Sequence, residues 1–156
     1  MARLAVGALL AFALRLGAPG TPAGAAEAAS AAPYVVVAHP GVAETRLDAG
    51  EVRRIFMLRR RFWRDGTPIH PVNLPAASPT RLAFSRAVLG GTPRDLTAYF
   101  NDLYFHGTRP PPVLESERAV LLYVARVPGA VGYAPAALLA APEAAGVKVL
   151  LTFQAP

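Results

Sequence analysis

Residues 69–84 read Ile69-His70-Pro71-Val72-Asn73-Leu74-Pro75-Ala76-Ala77-Ser78-Pro79-Thr80-Arg81-Leu82-Ala83-Phe84. A β-type apolar stretch ends at Asn73-Leu74, a short turn follows, and Ser78-Pro79 opens a helix. Serine is a favoured N-cap because its hydroxyl accepts a free backbone N–H, and proline suits the first helical position. Leu82, Ala83, Phe84, Ala87 and Val88 continue the apolar pattern until Gly90-Gly91 stops it. The same alternation extends in both directions. Upstream, Tyr34-Val35-Val36-Val37-Ala38 is a β-branched run closed by His39-Pro40-Gly41. Asp48 and Glu51 then form a capping-box pattern, with Leu47 and Val52 as its hydrophobic staple, ahead of Ile55 and Phe56.

Downstream, Thr92-Pro93 signals another helix, with Leu96, Tyr99, Phe100 and Leu103 in one stripe expected to be buried. Gly107 and Pro110-Pro111-Pro112 end it. A helix from near Ser116 carries Val120, Tyr123, Val124 and Val127 at the same spacing and closes at Pro128-Gly129. Ala130-Val131-Gly132-Tyr133 is a third strand, a short Ala-rich helix covers 136–139, and Val147 to Phe153 is the last strand. Strands separated by helices predict an α/β domain in three layers, a mainly parallel sheet with helices on both faces. In such sheets ligands bind beyond the carboxyl ends of strands. That rule nominates His39, Asn73 and Tyr133, together with the helix start Ser78-Pro79-Thr80.

The chain has 156 residues, 53% hydrophobic and 17% charged, and no cysteine. Its length suits one domain, and the missing thiols exclude disulfide and cysteine–zinc scaffolds. Arg3 followed by the eleven-residue apolar run Leu4 to Leu14 resembles a secretory signal. As a helix that run spans about 16 Å, half of a ~30 Å hydrocarbon core. Ala23-Gly24-Ala25 offers a cleavage site. The expected organisation is therefore a signal peptide over 1–25, a flexible linker over 26–33 and a single domain over 34–156. The expected location is the periplasm or outside the cell, with no membrane span after cleavage. Cleavage would lower the formal charge from +6 to +4, since residues 1–25 hold Arg3 and Arg15.

Four pieces in this order carry a family resemblance: HPGV (39–42), LDAGEVRRIFMLRRRFWRDGTPIHPVNLP (47–75), SPTRLAFSRAVLG (78–90) and RVPGAVGYAP (126–135). Within them are EVRRIF, a WxDG loop (Trp63, Asp65, Gly66) and the Ser-Pro-Thr helix start. The chain resembles the phosphate-binding solute receptors of ABC transporters, in a small group built like one lobe of a type II periplasmic binding protein. In full-length receptors the resemblance implies a two-lobed clamp, with phosphate held partly at a Gly-Ser-Gly-Thr helix start. Here the matching segment is Ala77-Ser78-Pro79-Thr80. Ser78 and Thr80 keep hydroxyls, Pro79 lacks an N–H, and Asn73 or Arg81 takes the place of the family's nearby arginine. The implied ligand set is Ser78, Thr80, Arg81, Asn73 and His39, holding phosphate or a similar small oxyanion weakly. The implied partners are an ABC transporter membrane component or a second lobe-bearing chain.

Other chemistries find little support in the sequence. There is no G-x-S-x-G elbow, no G-x-x-x-x-G-K loop and no cysteine nucleophile, and Ser78 has no evident base, so no catalysis is expected. His39, His70 and His106 are far apart, and neither a metal site nor a cofactor is expected. Arg59-Arg60-Arg61 and Arg64, with Phe62 and Trp63 between them, sit in one loop. They suit an acidic partner or surface better than nucleic acid. The competing expectation is an accessory module that has lost its ligand and presents Tyr104, Phe105 and the Trp63 loop to a protein partner.

Overall fold

A computed structural model describes residues 32–156; the expected signal peptide and most of the expected linker lie outside the described residues. The elements are β1 (Tyr34–Ala38), α1 (Ala49–Phe56), β2 (His70–Pro71), α2 (Pro79–Phe84), α3 (Thr97–Phe105), α4 (Glu117–Arg126), β3 (Ala130–Pro135) and β4 (Lys148–Phe153). A π-type turn, Ser85–Leu89, continues α2 and ends at Gly90 with φ 81°. Two short 3-10 turns, Ala136–Ala140 and Pro142–Ala144, link β3 to β4.

The caps form as their residue types dictate. Asp48 accepts from Glu51 N and Glu51 from Asp48 N, the complete capping box of α1. Ser78 Oγ accepts from Arg81 N, and Ser116 Oγ from Ala119 N. Thr92 and Asp95 exchange the same reciprocal contacts, but a turn intervenes and α3 starts only at Thr97. None of its residues is buried; Tyr99, Phe100 and Leu103, and Leu96 just before the helix, are only half-covered.

The sheet order is β2-β3-β1-β4. β1 runs antiparallel to both β3 and β4, and only β2 and β3 are parallel. The expectation of a mainly parallel sheet is thus corrected to a mixed one. A helix between two strands does not itself set their relative direction. Here β1 enters first and runs down the middle, while β3 and β4 both return against it. β2 is only two residues long; His70 N and Val72 N donate to Gly129 O and Val131 O, so Pro71 between them, on an edge strand, turns its missing N–H away from β3. An isolated parallel bridge between Asn73 and Val113 takes over.

Adjacent residues of β3 reach opposite faces of the sheet. On one side Tyr133 stacks on Phe84 at 3.9 Å between centroids and meets Phe56 edge-on at 5.7 Å, which seats α1 and α2. On the other side a Cβ at Gly132 would collide with Val120 of α4, so glycine lets that helix approach closely. Val36, Val37, Val52, Ile55, Val72, Leu74, Leu121 and Val124 fill the core around these contacts.

The arginine-rich loop is pinned from beneath. Arg60 pairs with the buried carboxylate of Glu44, which also accepts from Arg64 N at 3.0 Å. Trp63 is buried, and its indole N–H donates to Gly129 O at 2.9 Å. Trp63 is therefore part of the core, and within its loop Phe62 is the ring that faces outward, 58% exposed.

Candidate functional site

Asn73 lies where the chain leaves β2, Arg81 in the first turn of α2, and Tyr133 near the end of β3. The parallel register His70↔Ala130 and Pro71↔Val131 brings Asn73 level with Tyr133. Tyr133 donates its hydroxyl proton to Asn73 Oδ1 at 3.2 Å and accepts from Leu74 N at 3.2 Å. Asn73 is held further by its own backbone, which donates to Pro112 O and accepts from Leu114 N, both at 2.8 Å. These bonds consume the carboxamide oxygen and leave the NH₂ group as the available donor.

Arg81 is 8% exposed and forms no ion pair among the described residues; its Nε is buried without a hydrogen-bond partner. Burial pushes the Tyr133 hydroxyl above its ordinary value of 10.0. The Arg81 charge pulls it back, and the Glu117 carboxylate pushes the other way. Both charges therefore act on one buried polar centre. Uncompensated burial of a cation is expensive, and proteins leave it in place rarely.

Asn73, Arg81 and Pro111 form the buried floor of a cleft of about 200 Å³. Thr97 and Asn101 bring polar groups from α3, and Phe100, Pro93, Pro110 and Val113 bring apolar walls. The floor offers a guanidinium fork and an amide donor, a combination suited to a planar or tetrahedral oxyanion.

The other expected ligands are placed differently. Ser78 is occupied as the cap of α2, and neither it nor Thr80 lines the cleft. Thr80 is buried and donates to Glu117 Oε1 at 2.8 Å, tying α2 to α4. His39 is separated from the rest. Its backbone N–H donates to Ala130 O, at the start of β3, and its Nδ1 accepts from Gly41 N within its own turn. Ala130 and Tyr133 are three residues apart along the strand, about 10 Å. The strand-end rule placed His39 with Asn73 only because β1 was read as parallel to its neighbours; an antiparallel β1 brings its carboxyl end beside the start of β3, at the other end of the strands.

Sequence reasoning missed Thr97, Asn101 and Glu117, which reach this region through helix packing with no local motif to mark them. Among the described residues no group of three or more His, Asp or Glu side chains could hold a metal ion. No helix among them is long and apolar enough to cross a membrane.

No family model matches the chain, and no curated protein matches it by sequence. Solved structures do. A candidate phosphate ABC transporter substrate-binding protein of Clostridium perfringens, crystallised with bound phosphate, matches with TM-score 0.56 and 16% identity, over 78% of this chain and 45% of that one. PstS from Borrelia burgdorferi gives 0.59 and 14%, over 78% and 48%. A candidate phosphate-binding protein of Planctomyces limnophilus gives 0.55 and 18%, over 85% and 49%. The chain spans less than half the length of each. It therefore shares the fold of a portion of these proteins, an α/β unit built here on a mixed four-stranded sheet.

Proposed function

We propose that this chain is an exported, single-lobe solute-binding-like protein that holds phosphate or a similar small oxyanion, as part of an ABC transport system or descended from one. Arg81 carries the reading. It is a buried guanidinium without a carboxylate partner among the described residues, at the floor of a cleft, beside an amide with a free donor. An oxyanion supplies the missing charge and can engage the guanidinium through two hydrogen bonds. The bound phosphate belongs to the Clostridium perfringens protein, and the common fold lends the assignment its support. Ser78 and Thr80 serve this site by capping and anchoring α2, while His39 stands outside it. One lobe leaves its ligand partly in water, so affinity is modest unless a second chain closes the cleft. The reading involves recognition without catalysis.

The test is thermal unfolding of the full chain with phosphate, sulfate, arsenate, acetate or chloride at constant ionic strength, alongside Arg81→Gln. Oxyanions at a hundredfold excess over their dissociation constants add about 2.7 kcal/mol, worth several degrees, and Arg81→Gln removes the rise. Equal shifts for all five anions, or a rise that survives in Arg81→Gln, defeat the assignment.

A second reading rests on a different observation. Phe105 is 83% exposed and Tyr104 61%, at the end of a helix with no buried residue. Such rings suit an accessory module that docks a protein partner.

A further inference from the structure

The cleft over Arg81 has a composition that narrows its ligand. Its volume, about 200 Å³, lies below the roughly 300–1,000 Å³ of sites for drug-sized molecules, so the occupant is small. Charge is scarce in the surroundings. Among the described residues Arg81 is the only cation lining the cleft. One guanidinium matches the charge of a monoanion and leaves half the charge of a dianion unbalanced.

The walls are mostly hydrocarbon. Phe100, Pro93, Pro110 and Val113 line the cleft beside the guanidinium, and Thr97 and Asn101 add polar groups. An inorganic oxyanion would leave these walls against water or against its own charged oxygens. A molecule with one anionic head and a short apolar body satisfies both ends: the head on Arg81 and the Asn73 NH₂ group, the body against the ring and the prolines.

Resting on the reading of Arg81 as the anion anchor, we infer that the preferred ligand of this cleft is a small organic monocarboxylate with an apolar body. Its carboxylate accepts from the guanidinium in a planar pair, and burial of the body discriminates it from acetate, phosphate and sulfate.

Calorimetric titration of the full chain with acetate, butyrate, benzoate, phosphate and sulfate at constant ionic strength and neutral pH tests this. Butyrate and benzoate bind roughly tenfold more tightly than acetate, as two or more additional buried methylene equivalents require, and more tightly than phosphate. Phe100→Ala, on a helix without buried residues and so tolerant of truncation, compresses the butyrate-to-acetate ratio towards one. Arg81→Lys keeps a cation but loses the fork, and weakens all carboxylates together. A flat carboxylate series, a ratio untouched by Phe100→Ala, or phosphate binding more tightly than the carboxylates overturns the organic-ligand inference and leaves Arg81 as an oxyanion anchor. Failure of every anion to bind overturns both.

Discussion

Tyr133 joins the core to the candidate site through a single oxygen. Its ring stacks on Phe84, and its hydroxyl satisfies Leu74 N and Asn73 Oδ1 together. Tyr133→Phe keeps the stacking but strands a buried N–H and a buried carbonyl, at a cost of about 1–3 kcal/mol. Because burial raises its folded pKa above 10.0, the unfolded chain gives up this proton first as pH rises. The contribution is complete below about pH 10 and is lost progressively above it. Urea midpoints measured between pH 8 and 11.5 should fall at the alkaline end, and less steeply in Tyr133→Phe; parallel curves would refute the assignment. At this scale the sequence was partly legible. Asn73 and Arg81 stand out in it as polar residues flanking a strand end and a helix start. That Arg81 is buried without an ion pair among the described residues could not be read there, since which side chains come within reach of it depends on every element packed nearby.

Elements here are held in place by their junctions as much as by their own propensities. The entry to β3 shows this. Gly129 adopts φ 76°, a Cβ there would be driven into the Pro68 carbonyl, and its own carbonyl accepts from Trp63 Nε1. A single residue thus lets β3 start, lets the loop before β2 approach, and anchors the tryptophan. Gly129→Ala combines a left-handed backbone penalty with a steric clash against backbone, mechanisms that individually cost about 1–3 kcal/mol. Its melting temperature should fall by several degrees. Protease susceptibility should rise specifically in the 57–68 loop, and an unchanged digestion pattern would mean that the loop is anchored elsewhere. Pro128-Gly129 was readable as a stop between helix and strand. Its role as a docking point for Trp63 was not, because that contact spans 66 residues of chain.

Across the whole molecule, the central position of β1 makes the carboxyl terminus structural. β4 pairs along β1 from Tyr34↔Phe153 to Ala38↔Lys148. Leu150 is buried, and Phe153 stacks on Tyr34 and meets Phe84 edge-on. Truncation after Gly146 would leave one edge of β1 unpaired and bare its apolar side chains, so cooperative thermal unfolding should be lost, as followed by circular dichroism. A truncated chain that melts sharply would show that β2, β3 and β1 suffice. The antiparallel course of β1 also sets His39 apart from the Arg81 cleft, at the other end of the strands.

Helix caps at Asp48, Ser78 and Ser116, the apolar strand runs, and the α/β character were all present in the order of residues. Each depends on interactions within a few positions of chain, where residue type and spacing are decisive. The direction of β1, the burial of Trp63, the half-covered state of α3 and the unpaired charge of Arg81 came only with the tertiary structure. Each arises from contacts between segments tens of residues apart. Hydrophobic periodicity states that a face must be covered, but not which element covers it or in which direction that element runs.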